Sequence, residues 1–127
     1  MNSTKPSSQR DRGAAMVELA LLLPILFTVM FAIIGFGIAY SEKISIQGAA
    51  REGARSLALG FTVDQAKASV VDAAGGTDVT YGTIRECAAD DTTGSSLMTV
   101  HATVQINAIL FTKTIHLEST ASMRCGA

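Results

Sequence analysis

Residues 13–40 have the sequence GAAMVELALLLPILFTVMFAIIGFGIAY, and they set the architecture of the chain. No charged residue occurs in residues 19–40. Their number matches the roughly 20 apolar residues that an α-helix needs to cross the hydrocarbon core of a bilayer. Glu18 therefore lies at one membrane face or inside the membrane, where a carboxylate loses hydration unless it is protonated, reaches the interface or pairs with a cation. Glu18 is accordingly a candidate functional residue.

Charges on the two sides of this segment predict its orientation. Lys5, Arg10 and Arg12 precede it, with Asp11 as the only acid. The positive-inside rule then places the N-terminus in the cytoplasm. Charges on the far side are mixed, so residues 41–127 are expected outside the cytoplasmic membrane.

The hydrophobic segment also allows two other interpretations. A basic leader and an apolar run that ends in Gly37-Ile38-Ala39 are typical of a secretory signal peptide, and its cleavage would release a domain that begins at Tyr40. Against this, the run exceeds the roughly 7 to 15 residues of a signal-peptide core and carries Glu18 at its start. An uncleaved membrane anchor is the other interpretation. Either would leave an extracytoplasmic binding domain that presents a sheet to a ligand.

Length and composition exclude several classes of function. A chain of 127 residues has room for one small domain beside the membrane segment. Its 10 basic and 11 acidic residues give a net charge of -1, so we expect no nucleic-acid partner. Aromatic residues make up 6% and Trp is absent, which leaves few side chains for stacking on bases or sugars.

Two helical regions are predicted after the membrane segment: a continuation of the membrane helix and a separate second helix. Residues 41–59 are amphipathic, which indicates that the membrane helix continues outside the bilayer until Gly60. Residues 62–65, TVDQ, have the pattern of a capping box that starts a second helix, expected to run to about Ala74. Gly75-Gly76 then provides the stop.

The periodicity changes to that of β-strands from Asp78. Val79, Tyr81 and Ile84 predict a first short strand. Residues 98–107 and 114–124 each alternate between apolar and polar or small side chains, and they should form an antiparallel hairpin with one buried and one solvated face. Three strands on the amphipathic helices predict a small α+β domain.

The two cysteines lie in the part of the chain that is expected outside the cytoplasm. Cys87 follows the first predicted strand and Cys125 ends the last one. An oxidising compartment permits a disulfide between them. The alternative is two separately buried thiols.

No residue pattern predicts catalysis or metal binding. His101 and His116 share the solvated face of the hairpin and could approach one another, but no Cys, His or Asp cluster supplies further ligands for a metal. Asp90-Asp91 lacks the spacing and the closing Glu of an EF-hand. Gly75-Gly76 lacks the Lys of a phosphate-binding loop. We therefore expect no enzyme, no cofactor, no metal and no small-molecule substrate.

The N-terminal motifs resemble those of a known family. Gly13 followed by an apolar segment with Glu18 as the fifth residue after it resembles the processing site of type IV prepilins. Residues 12–21, RGAAMVELAL, with Leu23-Pro24 resemble the TadE-like pseudopilin family of tight-adherence (Flp) pilus systems. Residues 47–55, QGAAREGAR, are similar to the small-residue and arginine segment which that family carries beyond its membrane helix.

The resemblance implies processing of the chain. A membrane-embedded aspartic prepilin peptidase would cut after Gly13 and leave Ala14 as the mature N-terminus. The new α-amine is a cation, and Glu18 of the same or a neighbouring subunit would pair with it. In pilins such pairing is thought to set subunit register. The alternative role of Glu18 is an interfacial acid that interacts with the dipole of the helix N-terminus.

The implied organisation has three parts and a pilin-like plan. Residues 1–13 are a cytoplasmic leader, residues 14–40 a transmembrane helix and residues 41–127 an extracytoplasmic α+β domain. The expected function is that of a structural minor pilin-like subunit, single-pass in the bacterial cytoplasmic membrane or part of a surface pilus. Its partners would be the prepilin peptidase, other pilin and pseudopilin subunits and the membrane.

Two positions depart from the family pattern. Ala14 is smaller than the aromatic residue or Met often found at the first mature position, and Leu19 stands where major Flp pilins have Tyr and many TadE-like proteins have Phe. Leu19 and the size of the C-terminal domain both argue against the major pilin.

Overall fold

The computed structural model of the chain describes residues 8–88, 93–107 and 112–126. Within them lie two helices and three strands, which are α1 (Ser8–Ala58), α2 (Val63–Ala73), β1 (Val79–Arg85), β2 (Ser95–Asn107) and β3 (Thr112–Arg124). Residues up to Phe36 form one compact unit, and residues from Gly37 form a second. The predicted α+β class, with a long N-terminal helix and a three-stranded antiparallel sheet, is confirmed.

Helix α1 begins earlier than the sequence predicts. The polar composition of residues 1–12 predicts disorder of this segment in isolation, whereas in the whole chain the helix starts at Ser8. Residues 8–12 contain neither Pro nor Gly. Once the apolar segment has nucleated a helix, each such residue adds a hydrogen bond at little cost, so the helix extends backward. Disorder of the isolated leader stays a prediction, whereas in the whole chain residues 8–12 are part of α1.

Helix α1 has the length and the composition of a membrane-spanning helix. Its candidate span lies within Arg12–Ala58, where an 18-residue window reaches a mean hydropathy of 2.7 and is not buried inside the protein. Large apolar side chains such as Leu21, Ile33 and Phe36 are exposed along it. An apolar surface of this extent is typical of contact with lipid or another protein. The helix therefore fits a single-pass membrane anchor.

The turn between α1 and α2 follows the predicted pattern. Gly60 has a φ of +85°, a left-handed conformation that favours glycine and ends α1. At the start of α2 the backbone N–H of Gln65 donates to Thr62 Oγ1 (3.4 Å), and the backbone N–H of Thr62 donates to Gln65 Oε1 (3.1 Å). This is the predicted capping box.

The core of the second unit lies where the C-terminal part of α1 meets α2 and the sheet. Its fully buried members are mostly alanines on α1, with an alanine and a valine from α2 and larger side chains from β2: Ala49, Ala50, Ala54, Leu57, Ala66, Val70, Met98 and Val100. Small residues on α1 let its backbone approach both neighbours closely. Ser96 Oγ donates to the carbonyl of Ala54 over 2.8 Å, which joins β2 directly to the α1 backbone.

Helix α2 lies antiparallel to α1. Ser45 Oγ donates to the carbonyl of Ala74 (3.1 Å), and Ser56 Oγ donates to Ser69 Oγ (3.2 Å). Earlier residues of α1 thus contact later residues of α2.

The sheet has the order β1-β2-β3, with both pairs antiparallel. Burial alternates along β3 as predicted. Thr99, on the face predicted to be solvated, is nevertheless only 6% exposed. It lies in the central strand, where Thr120 Oγ1 is 3.0 Å from its Oγ1 and Gly82 of β1 lies close on the other side. Both neighbouring strands cover the side chains of a central strand. The alternation of apolar and polar residues in the sequence does not reveal this burial.

Tyr81 joins β1 to α2. Its hydroxyl donates to the carbonyl of Lys67 (3.2 Å), and Lys67 Nζ lies 5.4 Å from the centre of the Tyr81 ring. Burial raises the pKa of the Tyr81 phenol, so the hydroxyl keeps its proton and remains a donor at neutral pH.

Cys87 and Cys125 form a disulfide, with their Cα atoms 5.6 Å apart. The Cys125 backbone N–H also donates to the carbonyl of Gly94 (3.0 Å). The chain after β1 is thereby fixed to the end of β3. The alternative of two separate thiols is wrong.

Replacement by alanine should have opposite effects on stability at two glycines of α1. A Cβ atom at Gly53 would lie 2.5 Å from Val70 Cγ2 and 3.0 Å from Met98, whereas at Gly48 it would meet nothing within 4 Å. Overpacking costs about 1–3 kcal/mol, and alanine gains about 1 kcal/mol over glycine in a helix. We expect Gly53→Ala to lower the melting temperature of the full chain in detergent, measured by circular dichroism, and Gly48→Ala to raise it. Equal melting temperatures would contradict this packing.

The disulfide predicts a second stability effect. Closing a loop with a sequence separation of 38 restricts the unfolded chain by about 4 kcal/mol. Replacing Cys87 and Cys125 together by serine should lower the free energy of unfolding by up to about that amount. Reduction of the unmodified chain should slow its migration on a gel. Two thiols that react with an alkylating agent before reduction would refute the bridge.

Candidate functional site

The proposed processing residues all lie on α1, within the unit that ends at Phe36. Gly13, Ala14 and Glu18 are exposed, and the space around the Gly13 Cα is open, because a Cβ there would meet nothing within 4 Å. Glu18 is four residues after Ala14, so the two share one helix face with a rise of about 6 Å between their Cα atoms. An amine at Ala14 and the Glu18 carboxylate are therefore positioned on the same side of α1.

Glu18 has no ionic partner among the side chains that the structure describes, those of residues 12–88, 93–106 and 112–126. Within these ranges Arg55 pairs with Glu52 (4.0 Å), and His101 Nδ1 lies 3.9 Å from Glu118, a contact that is ionic only when the imidazole is protonated. A carboxylate at the mouth of an apolar helix thus has its charge uncompensated within the described chain. This is the electrostatic property that makes it available to a cation supplied from outside this set of residues.

Pro24 interrupts the hydrogen bonding of α1 in the same unit. It has no backbone N–H, so the helix loses a bond one turn earlier. Thr28 Oγ1 donates to the carbonyl of Pro24 over 2.7 Å, the bond that a helical threonine often makes four residues back, which leaves the carbonyl of Ala20 without the N–H that Pro24 lacks.

The small-residue and arginine segment, residues 47–55, serves two surfaces. Ala49, Ala50, Gly53 and Ala54 are buried in the core. Gly48, Arg51, Glu52 and Arg55 are exposed. The sequence identifies the segment as distinctive, but its division into a packed side and a free side requires the fold.

The histidines do not combine into a metal site. The register places His101 opposite Glu118 and His116 opposite Thr103, so the imidazoles are diagonal neighbours. His116 Nδ1 lies 3.3 Å from Thr103 Oγ1. Together with Thr80 these residues line a shallow depression on the outer face of the sheet. In the part of the chain that the structure describes, no three Cys, His, Asp or Glu side chains are grouped to hold a metal, and Asp90 and Asp91 lie outside it.

Comparison with known families identifies the N-terminal segment. Residues 13–55, which are 43 of the 127 residues, match the family model described as TadE-like protein. The resemblance stated from the sequence is therefore confirmed over this segment. No protein in a search of curated proteins and no solved structure matches the chain.

The fold and the match together define a class of protein. One N-terminal apolar helix fits a single-pass membrane anchor, and it is joined to a small α+β unit. The TadE-like segment supports a component associated with a Tad pilus. Such a component is expected to contact the membrane and other pilus subunits.

Proposed function

We propose that this chain is a minor pilin-like subunit of a tight-adherence pilus apparatus and that a prepilin peptidase removes its leader after Gly13. The observation that carries the proposal is the extent of the TadE-like match, which begins at Gly13 and ends at Arg55. It includes the proposed cleavage site, Glu18, the apolar helix and the segment that follows.

The proposed topology has three parts. Residues 1–13 are a cytoplasmic leader, residues 14–40 cross the cytoplasmic membrane and residues 41–127 form the domain outside it. Lys5, Arg10 and Arg12 support the cytoplasmic side of the leader. The Cys87–Cys125 disulfide supports an oxidising compartment for the domain.

Glycine at position 13 has a physical role in cleavage. The bond between Gly13 and Ala14 lies inside α1, so a peptidase that needs access to the backbone has to open the helix locally. Glycine is about 1 kcal/mol poorer than alanine as a helix former, which lowers the free energy of that opening. It also has no side chain of its own, and an added Cβ would meet no other part of the described chain within 4 Å.

Cleavage converts Glu18 from an isolated acid into half of an ion pair. The new α-amine of Ala14 is on the same helix face, one turn away. In the membrane, an unpaired charge of either sign is strongly unfavourable, and the attraction within a pair offsets part of both desolvation penalties. Pairing between subunits would fix the axial offset between neighbouring α1 helices. This is the registration role that we assign to Glu18.

Leader removal should depend on the side chain at position 13. We expect Gly13→Val and Gly13→Ala to retain Met1, because each stabilises the helix at the scissile bond and covers the backbone. Gly37→Ala is the matched control, since Gly37 is also a glycine of α1 with open space around it. Mass spectrometry of the membrane-extracted protein identifies the N-terminus. Ala14 in the control and Met1 in the variants supports the proposal, whereas normal processing of both variants refutes it. Met1 in the unmodified chain would indicate an uncleaved anchor, and Tyr40 a secreted domain.

Assembly should depend on the charge at position 18. Glu18→Gln preserves size and removes the charge, so we expect an N-terminus at Ala14 but at least about a ten-fold fall in pilus number, because the amine is left unpaired. Glu52→Gln removes another exposed carboxylate of α1, outside the apolar segment, and serves as the control. Counting pili by electron microscopy provides the measurement. Full piliation with Glu18→Gln would exclude the registration role.

A further inference from the structure

The part of α1 that belongs to the second unit has an exposed face outside its packed core. Ile44, Gly48, Arg51 and Arg55 follow one another at intervals of four, three and four residues, so they form one stripe. We call these four residues the α1 outer face. All four are exposed, and they lie opposite Ala49 and Gly53, which are packed in the core.

Helix α2 has a corresponding free face. Asp64, Ala68 and Val71 are spaced by four and three residues and are all exposed, with Val71 53% accessible. We call these three residues the α2 outer face. They lie opposite Ala66 and Val70, the residues that α2 buries in the core.

We propose that the α1 outer face of one copy binds the α2 outer face of a second copy. With the two helices antiparallel, Ile44 meets Val71, Gly48 meets Ala68 and Arg51 meets Asp64. The first and last of these pairs are seven residues apart on both helices, which is about 10.5 Å along each axis. One register therefore brings together three favourable contacts. They are an apolar contact, a close approach of two small residues and a pair of opposite charges.

The charges of both faces are available for this contact. Among the described residues, the ion pairs involve neither Arg51 nor Asp64. Arg55 extends the basic surface by one turn, and its contact with Glu52 is long and exposed, so it contributes little. Each copy thus has a basic and apolar face on α1 and an acidic and apolar face on α2. This complementarity within one sequence favours a second copy as the occupant.

The proposed contact is compatible with insertion of both copies in one membrane. Within a chain, α2 is antiparallel to α1, as the Ser45–Ala74 and Ser56–Ser69 hydrogen bonds show. An α2 that is also antiparallel to the neighbouring α1 leaves the two α1 helices parallel. Chains inserted in the same direction require that arrangement. Different surfaces meet, so the contact is heterologous and repeats into an open row of subunits.

The row does not depend on leader removal, because neither face includes any residue before Ile44. It goes beyond the proposed function in assigning a lateral self-association surface outside the membrane segment. The exposed ion pair contributes little, so stable rows need confinement in the membrane, which raises the local concentration of the subunits.

Cross-linking of the full chain in membranes tests the contact. The native cysteines are joined to each other, so Gly48→Cys and Ala68→Cys introduce the only reactive thiols expected. With a short bismaleimide, the double variant should give a ladder of dimers, trimers and longer species. The two single variants, when mixed, should give dimers only. The matched control combines Gly48→Cys with Ser122→Cys, an exposed position on β3, and should give no ladder.

Charge reversal adds a test of register. In the Gly48→Cys, Ala68→Cys background, Arg51→Asp or Asp64→Arg alone should reduce the ladder by about three-fold, the size expected for one exposed pair. Both changes together should restore it. Arg124→Asp, at another exposed arginine, should have no effect. A ladder no stronger than the Ser122→Cys control, cross-links only to a different protein, or no rescue by the double reversal would overturn the proposal.

The same measurement in the Gly13→Val background separates this inference from the proposed function. A ladder in a normally processed Gly13→Val chain supports the row and refutes the cleavage site. Leader removal that depends on Gly13 without any ladder supports the cleavage site and refutes the row.

Discussion

The close approach of α1 to α2 and β2 at Gly53 is the contact on which the second unit depends. Only hydrogen fits between the Gly53 Cα and the side chains of Val70 and Met98. The flanking alanines maintain the same short separation, which also allows Ser96 to bond the α1 backbone at Ala54. A larger residue at this point separates all three elements together. Half of the arginine and small-residue segment is therefore explained by packing alone.

The TadE-like match contains both buried and exposed positions. The matched residues 13–55 include positions that the core requires, such as Ala49 and Gly53, and positions that the core leaves unused, such as Gly48 and Arg51. The first group explains the fold of the domain. Gly13, Glu18 and the α1 outer face are exposed and lie outside that core, so contacts with a peptidase, the membrane or other subunits are to be sought there.

Local patterns in the sequence predicted most of the fold, because the forces that set them are local. The capping box at Thr62, the glycine stop at Gly60 and the alternation along β3 depend on neighbouring residues, and all were predictable. The burial of Thr99 and the packing role of Gly53 depend on residues that are distant in sequence. In a helix, a glycine by itself indicates low propensity, and only Val70 across the interface shows why it is needed.

The residues of the candidate site also differ in whether the sequence alone identifies them. Glu18 could be identified from sequence because a charge beside an apolar segment is a local anomaly. The two outer faces could not be identified from sequence, since each looks like an ordinary solvated helix surface until their opposite charges and equal spacing are compared.

In the proposed assembly, the contact between the outer faces and the contact between Glu18 and the α-amine differ in strength. The exposed Arg51–Asp64 pair is weak and reversible, whereas an amine paired with Glu18 in a low-dielectric environment resists separation. A row held only by the outer faces can therefore form and exchange before processing, and cleavage after Gly13 adds the contact that fixes its register.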